Sequence, residues 1–241
     1  MQIFCKTDIG RARSSNQDAY FAKQLEDGAV LAVVCDGMGG ANAGNIASEL
    51  AVENISDYII RSYREGMESS DIVRMLKNAV TSANIIIYDR SLKSPELSGM
   101  GTTAVAAVVT EDFAVIAHVG DSRAYLISDK AEQITRDHSV VQSLIESGKL
   151  TQEEAKFHPR KNIITRAIGT EGEVTADFSE VTLKKGDSLL LCTDGLTNFV
   201  EPQDIYNIFK SADIADPAER LADLANRNGG GDNITVVAVT K

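Results

Sequence analysis

The chain has 241 residues, of which 43% are hydrophobic and 24% charged, and a formal net charge of -11. It is long enough to bury a sizeable core without staples. So acidic a surface repels nucleic acid and anionic membranes, and it would repel an anionic substrate too unless cations were held locally. The three cysteines, Cys5, Cys35 and Cys192, have no CxxC spacing. Cys35 and Cys192 lie in apolar runs and read as buried, reduced thiols of a cytoplasmic protein. The first residues lack the basic and apolar regions of a signal peptide, and no apolar stretch is long enough to span a bilayer.

In chain order, Gln2 to Thr7 reads as a short strand and Asp8 to Gln17 as a polar loop. Asp18 to Ala22 and Val30 to Cys35 are strand candidates, followed by a glycine-rich turn from Asp36 to Gly44. Helical spacing runs from Ile46 to Arg64, and a second long helix opens at Ser70 with Ile72, Leu76, Ala79, Val80, Ala83 and Ile87 on one face. Gly101 to Val109, Ala114 to Val119, Ala124 to Ser128 and Glu132 to Thr135 predict a meander of four buried strands. Two short helices follow, the second with Thr151 and Glu154 as a capping box. Strands are expected at Val174 to Leu183, Ser188 to Thr193 and Ile234 to Val239. Pro202 marks one helix start, and Asp216, Pro217 and Glu219 mark another.

There is no repeat or linker, so residues 1–241 read as one domain. Antiparallel-looking strand blocks with long helices between them do not fit regular βαβ alternation. They predict an α+β fold: a four-layer α-β-β-α sandwich of two antiparallel sheets flanked by helices.

Asp36, Asp121, Asp194 and Asp232 each stand at the start or end of an apolar strand, next to glycine or a polar turn. One Asp-Gly pair is ordinarily a turn. Four carboxylates at strand ends suggest a site, because hard divalent cations take oxygen ligands. With three histidines and no clustered cysteine, the donor set favours Mn²⁺ or Mg²⁺ over zinc, and the absence of EF-hand spacing disfavours structural calcium. Arg11 and Arg13 lie just before Asp18, and arginine suits phosphate capture. Arg11 reads as a solvated surface residue.

The segments Thr7-Asp8-x-Gly10-x-x-Arg13-x-x-Asn16-x-Asp18, Asp36-Gly37-Met38-Gly39-Gly40, Gly101-Thr102-Thr103, Gly120-Asp121-Ser122-Arg123, Asp137-His138-Ser139, His158-Pro159 with Asn162, Thr193-Asp194-Gly195 and Gly231-Asp232-Asn233-Ile234-Thr235 together resemble the bacterial branch of the protein phosphatase 2C (PPM) family, in family order from Thr7 to Val239. The resemblance implies a metal-dependent protein serine/threonine phosphatase with two Mn²⁺ or Mg²⁺ ions per chain. By position, Asp36 would bridge the ions, the Gly37 carbonyl would complete one site, Asp194 and Asp232 would hold the other, and Asp18 would act through water. Asp18, Asp36, Asp194 and Asp232 are therefore the expected catalytic set. Asp121 with Asp194 matches the ligands of a third ion found in bacterial relatives, and Arg13 matches the phosphate-binding arginine. Residues at about 137–165 resemble the family's flap, in which His138 and His158 read equally as structural or catalytic residues. Ala41 stands where many relatives have a histidine that could protonate the leaving group, and Gln17 replaces a common glutamate.

Phosphate monoesters are among the slowest substrates to hydrolyse unaided, with enzymatic accelerations up to ~10²¹. One general acid or base supplies only about 10²–10⁴, so hydroxide generated at a metal pair, with no phosphoenzyme, is the expected mechanism. No Cys-x5-Arg nucleophile motif is present. The expected partners are Ser/Thr-phosphorylated proteins and a cognate Ser/Thr protein kinase, with no nucleic acid, no membrane insertion and a monomeric chain. The competing readings are a catalytically weak phosphoprotein-binding regulatory module and a two-metal phosphodiesterase or nuclease.

Overall fold

A computed structural model describes residues 1–40 and 43–241. In chain order the elements are β1 (Gln2–Asp8), β2 (Asp18–Gln24), β3 (Val30–Met38), α1 (Ala43–Ser62), α2 (Ser69–Lys93), β4 (Gly101–Thr102), β5 (Ala104–Val109), β6 (Phe113–Val119), β7 (Arg123–Ile127), β8 (Ala131–Gln133), α3 (Val140–Glu146), α4 (Gln152–Lys156), β9 (Asp177–Thr182), β10 (Ser188–Cys192), α5 (Asp194–Thr197), α6 (Pro202–Lys210), α7 (Pro217–Arg227) and β11 (Ile234–Thr240). The strands form two antiparallel sheets, ordered β1-β11-β10-β7-β8 and β2-β3-β5-β6-β9, with β4 paired to β3. This is the expected α+β sandwich.

The layers follow from side-chain alternation. On β3, Val30, Ala32 and Val34 enter the core between the sheets, whereas Leu31, Val33 and Cys35 face α1 and α2. On β11, Val237 and Val239 face the inter-sheet core, while Ile234, Val236 and Ala238 pack under α6 and α7. Successive strand residues point to opposite faces, and here both faces are covered. The central strands therefore read as unbroken apolar runs although every pairing is antiparallel. α2 contributes Ile72, Leu76, Ala79, Ala83 and Ile87 to the core it shares with Leu31, Val33 and Cys35 of β3, as its spacing predicts. The Thr151–Glu154 capping box is present, and Asp216 accepts hydrogen bonds from the backbone of Ala218 and Glu219. Cys35 and Cys192 are fully buried and free.

Three expectations are corrected. The four-strand meander is split: β5 and β6 belong to one sheet, and β7 and β8 to the other. The chain changes sheets at Gly120, whose φ of +105° favours glycine. The strand predicted to end at Cys35 continues to Met38, because Gly37 and Met38 find partners in Thr102 and Gly101. The strand predicted over Gly101 to Val109 breaks at Thr103, which bonds the Asp36 backbone instead: its N–H donates to the Asp36 carbonyl at 2.9 Å. Smaller shifts occur at further boundaries, among them β2 ending at Gln24, α1 running from Ala43 to Ser62, β8 covering Ala131–Gln133 and β9 starting at Asp177. Among the described residues no helix is long and apolar enough to cross a membrane.

Leu76 is fully buried, whereas Leu92 on the same helix is 68% exposed. Leu76→Ala should lower unfolding stability by about 2–5 kcal/mol, and Leu92→Ala should stay within about 0.5 kcal/mol of wild type. Urea denaturation of both variants measures the contrast.

Candidate active site

The expected carboxylates come from both sheets. Asp18 on β2 sits directly opposite Asp36 on β3. Asp194 opens α5 two residues after the end of β10, Asp232 lies two residues before β11, and Asp121 follows the Gly120 sheet change. Each is half-buried. Their charges act on one another. The Asp36 carboxyl is pushed well above the usual range, first by burial and then by Asp18, Asp194, Asp121 and Asp232. Asp18 is raised to about 7 by burial, partly offset by hydrogen bonding from Thr235 and Thr193, with Asp194 and Asp232 adding repulsion. Asp121 is raised to about 7 by burial and by Asp194 and Asp137. Asp194 is raised by burial and by Asp232. The structure thus brings the predicted acids within electrostatic reach of one another.

A polar scaffold holds them there. The Asp36 N–H donates to Thr103 Oγ1 at 2.9 Å, and the Asp36 carbonyl accepts from Thr102 Oγ1 at 2.8 Å. Thr193 Oγ1 donates to Asp18 Oδ2 at 2.9 Å and accepts from the Thr235 N–H at 3.0 Å. Asn233 stitches the 9–17 loop to β11: its Nδ2 donates to the carbonyls of Ile9 and Ser15, and its Oδ1 accepts from the Gln17 N–H. Gly37 donates to the Gln17 carbonyl at 3.0 Å. A Cβ at Gly37 would stand 2.0 Å from the Gly44 carbonyl oxygen, so only glycine lets α1 begin this close to the site.

Arg13 reaches the cluster. Its Nη2 donates to Asp232 Oδ2 at 2.8 Å, and half of its side chain remains exposed. Arg11 is exposed. Arg123 is a second cation beside the acids, held by three hydrogen bonds to Asp137 and one to the Tyr125 hydroxyl. Of the two histidines noted in sequence, His138 is buried and bonded to Gly120, whereas His158 accepts the Arg160 N–H within its own turn. Ala41 lies outside the described residues. Thr103, Thr193 and Asn233 stood within the quoted motifs without a role. Arg123 was likewise unassigned, although a lone arginine directly after Gly-Asp-Ser was a visible signal.

The donor chemistry fits hard divalent cations. Among the described residues, the buried Asp18 Oδ1 and Asp194 Oδ1 have no hydrogen-bond partner, and such bare carboxylate oxygens call for a positive partner. Among the described residues, no three acidic, histidine or cysteine side chains converge closely enough to hold an ion as they stand. Like charges hold apart, and two of the acids have other partners: Arg13 on Asp232 and Asn198 on Asp194 Oδ2 at 2.9 Å.

The sequence profile described as Protein phosphatase 2C matches residues 10–227. The chain belongs to the protein phosphatase 2C family. It is 40% identical over 243 residues to the serine/threonine phosphatase stp of Listeria monocytogenes, covering 98% of this chain and 94% of that protein. The serine/threonine phosphatase of S. agalactiae superposes with a TM-score of 0.92 at 38% identity, covering 100% of this chain and 99% of that one. The catalytic domain of the phosphatase PstP, solved in complex with two manganese ions, superposes with a TM-score of 0.84 at 32% identity, covering 98% and 96%. In this protein phosphatase 2C chain the acids lie where the two sheets meet, each fixed by a strand end or turn.

Asp18 and Asp121 bind protons more tightly folded than unfolded, so their contribution to stability is complete below about pH 4 and is lost as pH rises through about 7. In EDTA, wild-type protein should therefore lose stability across that window, and Asp18→Asn should lose less. Thermal unfolding as a function of pH checks the difference.

Proposed function

We propose that this protein serine/threonine phosphatase hydrolyses phosphoserine and phosphothreonine in proteins at a centre of two Mn²⁺ or Mg²⁺ ions, without a phosphoenzyme. The observation that carries the reading is the pair of buried, unpartnered oxygens, Asp18 Oδ1 and Asp194 Oδ1, inside a cluster of mutually repelling carboxylates. The two manganese ions in the PstP catalytic domain support it. Asp36 would be shared between the ions, the Gly37 carbonyl would complete one site, and Asp194 with Asp232 would hold the other. Asp18 would act through water. Asp121 with Asp194 would take a third ion. Bound there, divalent cations supply Lewis acidity that lowers the pKa of water and offsets the charge of a phosphate dianion.

The chain's own residues do the rest. Thr193 ties down Asp18 Oδ2 and leaves Oδ1 free. Arg13 has a flexible, half-exposed stem, so its guanidinium can exchange Asp232 for a phosphate oxygen pair, which its planar fork matches. Asn198 restrains the other oxygen of Asp194. In this reading residues 1–241 are one catalytic domain, and 137–165 form a flap beside the cleft. The protein acts as a cytoplasmic monomer on phosphoproteins made by a cognate Ser/Thr kinase. A catalytically weak binding module has less support, because every metal-directed aspartate is kept.

Purified protein should release phosphate from a phosphothreonine peptide with Mn²⁺ and not with EDTA. Asp36→Asn or Asp232→Asn should abolish that release while the circular dichroism spectrum stays unchanged. Wild-type rates in either variant would remove the metal assignment. Arg13→Ala should act mainly on KM for the peptide, and an unchanged KM would take Arg13 out of the substrate site.

A further inference from the structure

Asp121 sits in a turn that changes sheets, and turns do not hold a carboxylate firmly by themselves. Gly120, just before it, has both of its backbone polar groups taken by one residue. The His138 N–H donates to the Gly120 carbonyl at 2.7 Å. The Gly120 N–H donates to His138 Nδ1 at 3.1 Å. On the other side of the turn, the hydroxyls of Ser122 and Thr103 are hydrogen-bonded at 2.7 Å, and Thr103 also accepts the Asp36 N–H. A Cβ on Gly120 would stand 2.6 Å from the Thr103 methyl carbon. The turn is therefore clamped between His138 and Thr103.

The hydrogen bonds fix the imidazole tautomer. Nδ1 accepts an N–H, so it carries the lone pair, and the ring proton sits on Nε2. Nε2 lies 3.2 Å from Asp177 Oδ2, which accepts that proton. Arg166 Nη1 lies near the same ring nitrogen at 3.1 Å, but it donates to Asp177 Oδ1 at 2.8 Å and so orients the carboxylate. An imidazolium would set an Nδ1–H against the Gly120 N–H. Burial also disfavours the charged ring, lowering the pKa of His138. His118 packs against it with ring centroids 4.5 Å apart and planes tilted by 38°. Among the described residues neither buried nitrogen of His118 has a hydrogen-bond partner, and burial lowers its pKa to about 4. It serves as a neutral support.

We propose that His138, as the Nε2–H tautomer set by Asp177 and Arg166, is the positioning residue that holds the Gly120 turn and thereby aims Asp121 into the site. The inference rests on the reading of Asp121 as a ligand for a divalent cation. It gives the buried histidine pair a task that neither substrate nor solvent contact would explain. It also ties the base of the 137–165 segment, through His138 and Arg166, to one specific carboxylate of the cluster.

The test compares His138→Asn, His138→Phe and Asp121→Asn with wild type. Asn places an oxygen close to where Nδ1 stood, so it keeps the acceptor for Gly120 but leaves a void over His118. Phe keeps the bulk and the ring contact but removes the acceptor. Calorimetric titration with Mn²⁺ should show His138→Phe losing about 10–100-fold in the affinity that Asp121→Asn abolishes, the usual cost of removing a partner behind a ligand. His138→Asn should keep that affinity despite being the less stable fold. Nitrogen-15 spectra of the metal-free protein should show the His138 proton on Nε2 and slow exchange at the Gly120 amide. Wild-type Mn²⁺ affinity in His138→Phe, or losses that simply follow thermal stability, would overturn the proposal. A proton found on Nδ1 would overturn the clamp whatever the metal does. Identical titrations of wild type and Asp121→Asn would instead overturn the ligand reading of Asp121, while the spectra still decide the clamp.

Discussion

Repulsion among Asp18, Asp36, Asp121, Asp194 and Asp232 is the constraint around which the rest of the molecule is arranged. A folded domain is stable by only about 5–15 kcal/mol, and half-buried like charges push directly against that margin. The backbone resists the push by leaving none of these residues on a free loop. Asp36 extends a strand with both faces covered, and its own N–H and carbonyl are held by Thr103 and Thr102. Asp194 and Asp232 flank β10 and β11, neighbours in the five-stranded sheet. The apolar layers on either side supply the burial free energy that keeps the strand ends from splaying apart.

Two arginines moderate the field in different ways. Arg123 is locked to Asp137 and Tyr125, and it lowers the proton affinity of both Asp121 and Asp194. It behaves as a permanent part of the site. Arg13 is half-exposed and makes a single contact to Asp232. That contact is open to solvent on the Arg13 side. In the proposed function the site takes up an anionic group with one cation of each kind, one fixed and one exchanging.

The sandwich and the acids were legible in the sequence because both rest on strong local signals. Continuous apolar runs such as LAVVC ahead of Asp36 and LLLCT ahead of Asp194 marked strands buried on both faces, and the carboxylate at each end stood out against them. Long amphipathic helices were equally plain, and the Asp216 and Thr151 caps held in detail. What was not legible depends on partners distant in sequence. Nothing near Gly120 says that the chain changes sheets there, since β6 and β7 read alike as apolar strands. The end of β3 was hidden because Gly37 and Met38 look like turn residues until Gly101 and Thr102 arrive to pair with them. Thr193 bonds Asp18, 175 residues away, and Asn233 bonds the 9–17 loop from the far end of the chain. A hydroxyl or amide reveals such work only once the fold closes.

The pairing of β1 with β11 has a bearing on how the chain is made. β1 is synthesised before the other described strands, and its partner is the strand at 234–240. During synthesis residues 2–8 must therefore wait, unpaired, for nearly the whole chain to emerge. The same late segment brings Asp232 and the Asn233 amide that secures the 9–17 loop. Pairings this far apart in sequence are slow to form. Two strands of the five-stranded sheet and one edge of the carboxylate cluster thus come into place together, late in folding. On the proposed reading, a chain made only as far as β10 has no completed centre, and dephosphorylation begins only once β11 has joined the sheet.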